Sequence, residues 1–144
     1  QNVLPYLQTA RSTGLLTVPY SPAAPFTPVD LADVAAAAAT TMADTRHRFA
    51  TYELCGPELL DTETMAARLA EVLDRPVEAA EQPLEEWQAA ADLPEHVRDG
   101  LVAMFAYYDR HGLTGSSWTL EQLLGRRPTS FTAAVLRDLP ASGG

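Results

Sequence analysis

Only three stretches of this chain read as β-strands: "LLTVPY" (15–20), the alternating "TYELCG" (51–56) and "VEAAEQP" (77–83). They are short, widely separated and too few to make a self-sufficient sheet. The first closes on Pro19, the second runs into a Gly-Pro turn, and the third reads as a short edge strand. Most of what lies between them is helical in pattern. The chain is therefore restricted to an α+β fold, mostly helical, with a few short strands.

The helical signals are local and explicit. Residues 1–11 read as a helix stopped by Gly14, with Val3, Leu4 and Leu7 on one face. "SPAAPFTP" carries three prolines and reads as an ordered loop. In "VDLADVAAAAATTMA", Asp30 is placed to cap a helix and Asp33 to meet its positive dipole end. The alanines that follow favour helix and let another backbone come close.

Asp61 caps the next predicted helix, with Met65, Leu69, Val72 and Leu73 as its apolar stripe. "LEEWQAAA" places Leu84 and Trp87 one turn apart. Pro94 opens a long helix that ends at Gly112, with Val97, Leu101, Met104, Phe105 and Tyr108 on one face. "TLEQLLG" has the offset of a capping box, Thr119 to Gln122. A last helix aligns Phe131, Val135 and Leu139, and residues 141–144 read as a frayed tail. A single lobe over 1–140 is the expected organisation.

Charge and cysteine content exclude several functions. The 144 residues carry a formal −9, and all ten cations are arginine. An acidic chain with no basic stripe is a poor ligand for a phosphate backbone, so no nucleic acid is expected. Without lysine there is no Schiff-base or P-loop lysine and no Tyr/Lys proton-transfer pair. No apolar run approaches the length of a membrane span, so no membrane is expected, and the cytoplasm is the expected location. The lone Cys55 lies in an apolar run and reads as a small buried hydrophobe.

Three segments, "FTPVDLADVAAAA", "YELCGPELLDTETMAARLAEVLDRPV" and "LGRRPTSF", follow one another in an order and spacing that resembles the C-terminal half of an NmrA-like protein. That family is an atypical branch of the short-chain dehydrogenase/reductases. "QNVLPYL" is similar to its helix leading into the substrate lobe, and the resemblance covers nearly the whole chain. It implies the C-terminal portion of a Rossmann protein, with "TYELCG" a late strand of the main sheet and "VEAAEQP" part of a smaller outer one. Asp74 stands where the family usually has glycine, at a turn that Asp tolerates.

Family members hold NAD(P) on a Gly-rich loop near the N-terminus. This sequence has neither G-x-G-x-x-G nor G-x-x-G-x-x-G. The expectation is that the chain starts mid-protein, binds no cofactor alone, and contributes the substrate side of an NAD(P)-dependent oxidoreductase or redox-sensing regulator. Its expected partners are the missing Rossmann half or a second copy docked through the apolar N-terminal helix. The alternative is a non-catalytic module that binds protein or a small ligand.

By resemblance the pocket for a small organic ligand is lined by the first helix, the Pro-rich loop and the later helices. Asn2, Tyr6, Tyr20, Phe26, Met104 and Tyr107 are the candidate substrate-binding residues, with core packing as the plainer reading of each. No catalytic residue and no metal site stand out. Glu95, His96 and Asp99 lack a second His or Cys at matching spacing. Arg126 and Arg127 suggest a phosphate contact, but a surface turn explains them as well.

Overall fold

The computed structural model describes residues 4–138, with side chains from Leu7 onward. Among the described residues seven α-helices and two strands follow in the order α1 (Leu4–Thr13), β1 (Leu15–Val18), α2 (Leu31–Ala43), α3 (Thr62–Leu73), β2 (Glu78–Glu81), α4 (Leu84–Ala90), α5 (Glu95–His111), α6 (Trp118–Leu124) and α7 (Phe131–Asp138). A 3-10 turn, Thr45–His47, follows α2. The chain is mostly helical α+β, as the strand pattern requires.

The residues fall into two compact units. One joins Thr27–Leu60 to the described residues from Thr114 onward. The other joins the described residues up to Phe26 to Asp61–Leu113.

The second unit is built on β1 and β2, which pair in parallel from Leu15 opposite Glu78 to Val18 opposite Glu81. A parallel pair needs apolar cover. Helix α1 packs on β1, and α3 packs on both strands. Leu7, Ala10, Leu16, Val18, Met65, Leu69 and Val77 form the resulting core. The predicted stripe of α3 divides: Met65 and Leu69 are buried, whereas Val72 and Leu73 are only partly covered.

Asp61 caps α3, accepting the Thr64 amide at 2.7 Å. Asp74 ends the same helix at φ 50, ψ 42, in the left-handed conformation that its short polar side chain tolerates. Gly14 closes α1 at φ 79.

In the first unit α2 packs on α6, around Ala37 and Leu120. The alanine run allows that approach. Asp30 is the N-cap, accepting the Ala32 amide at 3.1 Å.

Two expectations are corrected. Thr51–Gly56 forms no strand among the described residues; a strand exists only with a ladder neighbour, and what Gly56 finds is the Thr27 carbonyl at 3.2 Å. That approach is so close that a Cβ on Gly56 would lie 1.7 Å from the Pro28 carbonyl oxygen. The capping box at Thr119 does not form: the N-cap lies two residues earlier, at Ser117, with no side-chain cap bond. Thr119 is thereby placed inside the helix, where its hydroxyl is out of reach of the free amides. The expected alignment of Phe131 with Leu139 and the tail 141–144 lie outside the described residues.

Candidate functional site

The Pro-rich loop leaves β1 through buried Pro19 and carries Tyr20 and Phe26. Its shape is fixed by bonds to α5. The Ser21 amide donates to the Asp109 carboxylate at 2.8 Å, and the Leu113 amide donates to the Pro25 carbonyl at 2.9 Å. Phe26 and Leu113 also form a parallel bridge. Between those anchors the Ala24 amide turns back to Ser21, and Pro22 accepts the Thr62 amide. Backbone groups that proline leaves without sheet partners are thus satisfied within the unit.

This stapling gathers five aromatic rings. Tyr20 lies 5.2 Å from Phe26, 6.0 Å from Phe105 and 5.9 Å from Tyr108, centroid to centroid. Phe26 and Tyr108 meet edge to face at 5.3 Å, and Trp87 of α4 meets Phe105 edge to face at 4.8 Å. Such edge-on contacts suit the ring quadrupoles. Phe105 is buried; Tyr20, Phe26, Trp87 and Tyr108 keep part of their surface. The cluster is a wall of ring faces and edges with tyrosine hydroxyls in it, a surface chemically suited to a flat apolar ligand.

Of the candidate residues, the structure brings Tyr20 and Phe26 together. Met104 is half-buried on α5 beside Phe105. Tyr107 is 55% exposed and turned from that face; its ring neighbour is His111 at 4.8 Å. With Ala103, Ala106 and Arg110 these two line a shallow open depression. Asn2 lies outside the described residues, as does the side chain of Tyr6. Phe105, Tyr108 and Trp87 belong with Tyr20 and Phe26, yet the sequence marks them only as helix core. The missing signal was the partner: Phe105 and Tyr108 meet loop rings far away in sequence, and Trp87 meets Phe105 on another helix.

A second polar cluster sits in the other unit. The Asp33 carboxylate, 1% exposed, accepts from Arg126 at 2.6 Å and from the Thr129 amide at 2.5 Å. Asp30 accepts two bonds from Arg137, at 2.5 and 3.0 Å. Glu58 accepts the Phe131 amide at 2.9 Å. Every carboxylate here has a cation or an amide of its own, so the two aspartates do not form an acid–base pair. Arg126 and Arg127 stand exposed in the turn after α6, and Arg126 also pairs with Asp33 from there.

The Arg137 guanidinium, chiefly through its hydrogen bonds, holds the Asp30 carboxyl below its ordinary value despite burial. A carboxyl lowered in the folded state stabilises the fold above its unfolded pKa. That contribution disappears as pH falls through the folded value, so it is lost below about pH 4. Asp30→Asn keeps the cap and loses the charge. It should cost about 1 kcal/mol at neutral pH, because Arg137 is solvent-screened. It should also flatten the acid limb of stability, read as urea midpoints against pH.

Dinucleotide binding needs amides presented by glycines between a strand and the helix after it. Among the described residues, neither β1 nor β2 is followed by a glycine before its next helix. Gly14, Gly112 and Gly125 close helices with positive φ, and Gly115 lies against the buried Cys55. The residues present do not fit a pyrophosphate cradle. No group of three or more His, Cys, Asp or Glu among the described residues could hold a metal ion, and no described helix is long and apolar enough to cross a membrane.

No family model matches the chain. A curated protein, the NAD(P)H azoreductase of Xenophilus azovorans, is 28% identical over 146 residues, covering 99% of this chain and 51% of its own length. The NADPH-dependent quinone oxidoreductase of Escherichia coli, solved with NADPH, superposes with a TM-score of 0.82 at 25% identity over 96% of this chain and 50% of that one. A triphenylmethane reductase from Citrobacter sp. gives 0.76 at 22% identity, over 92% and 47%. The chain spans about half the length of the proteins it matches. Its fold is that of the C-terminal portion of Rossmann-like reductases.

Proposed function

We propose that this chain is the substrate-side portion of an NAD(P)-dependent oxidoreductase with an NmrA-like architecture, completed by a nucleotide-binding half. The observation that carries this reading is the match itself: nearly all of the chain superposes on half of an NADPH-dependent reductase. The Gly-rich loop that would hold the cofactor has no counterpart in these residues. When bound to the completing half, NAD(P)H supplies the hydride. This chain supplies an aromatic wall: Tyr20, Phe26 and Tyr108 offer ring surface to a planar conjugated acceptor, and Asp109 holds the loop in place. The proteins it resembles are named for azo, quinone and triphenylmethane reduction, which all involve conjugated acceptors.

Thr51–Gly56 gives the completing half a place to dock. It is a segment of alternating sequence pattern without a ladder neighbour among the described residues, and a sheet edge would supply one.

The test is NAD(P)H titration calorimetry on the 144-residue chain, alone and with a separately produced nucleotide-binding half of a related reductase. No heat from the chain alone and micromolar binding by the pair is the expected result. Binding by the chain alone would overturn the assignment. A pair that binds no more tightly than the isolated half would remove its main support.

The alternative is a non-catalytic binding module. It is favoured by Leu59, Trp118 and Leu136, which stay largely exposed in the first unit. It predicts a flat aromatic ligand bound by the chain alone, with no gain from the completing half.

A further inference from the structure

The aromatic face of α5 carries a charge that its packing does not use. Arg98, Leu101, Phe105 and Tyr108 follow one another at spacings of three and four residues, so they share one side of the helix. Phe105 is buried there, and Arg98, Leu101 and Tyr108 are half-buried. The Nε of Arg98 is buried without a hydrogen-bond partner. No carboxylate among the described residues accepts from its guanidinium, although Glu95 and Asp99 stand exposed close by in sequence.

A buried donor without an acceptor is a standing cost to the fold. Arg126 and Arg137 show the ordinary outcome, since each holds an aspartate. Arg98 holds none in a chain with 19 carboxylates. Its Nε and a terminal nitrogen form one edge of a planar fork, and the group that matches such an edge is an oxyanion such as carboxylate. Position says what would carry that group. Arg98 stands two helical turns before Phe105, about 10 Å along the axis. Trp87 meets Phe105 edge to face and extends the aromatic surface beyond the loop rings. A molecule of two conjugated rings lying on this surface would bring a substituent at its end to Arg98.

We propose that Arg98 is a specificity residue of the aromatic site and receives a carboxylate carried at one end of a planar conjugated ligand. The proposal rests on the reading of Tyr20, Phe26 and Tyr108 as the ligand surface and adds the ligand's charge to it. A chain of formal charge −9 otherwise turns anions away, so one cation at the wall decides which ligands stay. The charges of Glu95 and Asp99 lie in water, where screening weakens them.

Titration calorimetry of the 144-residue chain with para-(phenylazo)benzoate and with its neutral carboxamide separates charge from shape. The carboxylate should bind about tenfold or more tightly than the carboxamide, with the advantage shrinking in high salt. Arg98→Gln breaks no bond of the free chain, so it should leave the thermal midpoint and the carboxamide affinity unchanged while abolishing the preference. Arg98→Lys, a point charge without the fork, should keep part of it. Equal binding of the two ligands, or a preference that survives Arg98→Gln, overturns the role of Arg98 and leaves the aromatic wall standing. Binding of neither ligand overturns both.

Discussion

Gly112→Ala should cost about 4 kcal/mol and leave little folded protein at elevated temperature. Two effects add. Gly112 sits at φ 64, ψ −161, a backbone region open essentially to glycine alone. A Cβ there would also lie 2.2 Å from the Pro25 carbonyl oxygen and 2.8 Å from its ring. Neither neighbour can retreat, because Pro25 accepts the Leu113 amide and Phe26 bridges to Leu113. Relief would require moving the loop that presents Tyr20 and Phe26. The control lies on the same helix: Gly100 faces open space, so Gly100→Ala should raise stability by about 0.5–1 kcal/mol through helix propensity. Thermal and urea unfolding of both variants check the contrast. Equal effects would mean that the turn at Pro25 yields easily.

Arg126→Ala should cost about 3 kcal/mol, because it leaves a carboxylate buried without its cation. Asp33 is 1% exposed, whereas Arg126 is 53% exposed. The penalty therefore falls on the aspartate, which would retain only the Thr129 amide and the start of α2. Adding Asp33→Ala removes the stranded charge. The double variant should be less destabilised than the sum of the single variants by about 1–2 kcal/mol. A double-mutant cycle in urea measures this. Strict additivity would show that water reaches Asp33 freely in the variant.

What the sequence disclosed depended on range. Asp30, Asp61 and Asp74 act within one helical turn of where they stand, so cap and left-handed stop were legible. The strands at 15–18 and 78–81 were legible as short runs bounded by turn signals, but their parallel pairing was not, since each lacks a local turn that fixes a neighbour. Thr51–Gly56 does alternate and makes no ladder among the described residues, which shows that pattern proposes a strand and pairing decides it. Asp33 reads as a first-turn dipole partner, and that account is complete until Arg126 arrives from 93 residues away. The aromatic cluster was half visible: its loop rings drew attention as candidates, while its helix rings looked like ordinary core.

The distribution of two side-chain types makes the units separately observable. Cys55 is buried in one unit, against Gly115, and it is the chain's single thiol. Trp87 lies in the other unit, edge-on to Phe105. A thiol-reactive chromophore therefore reports opening of the first unit, while quenching of the Trp87 emission follows the second once Trp118 is replaced. One Trp118-replaced sample can show whether the two units melt as one cooperative body or in sequence.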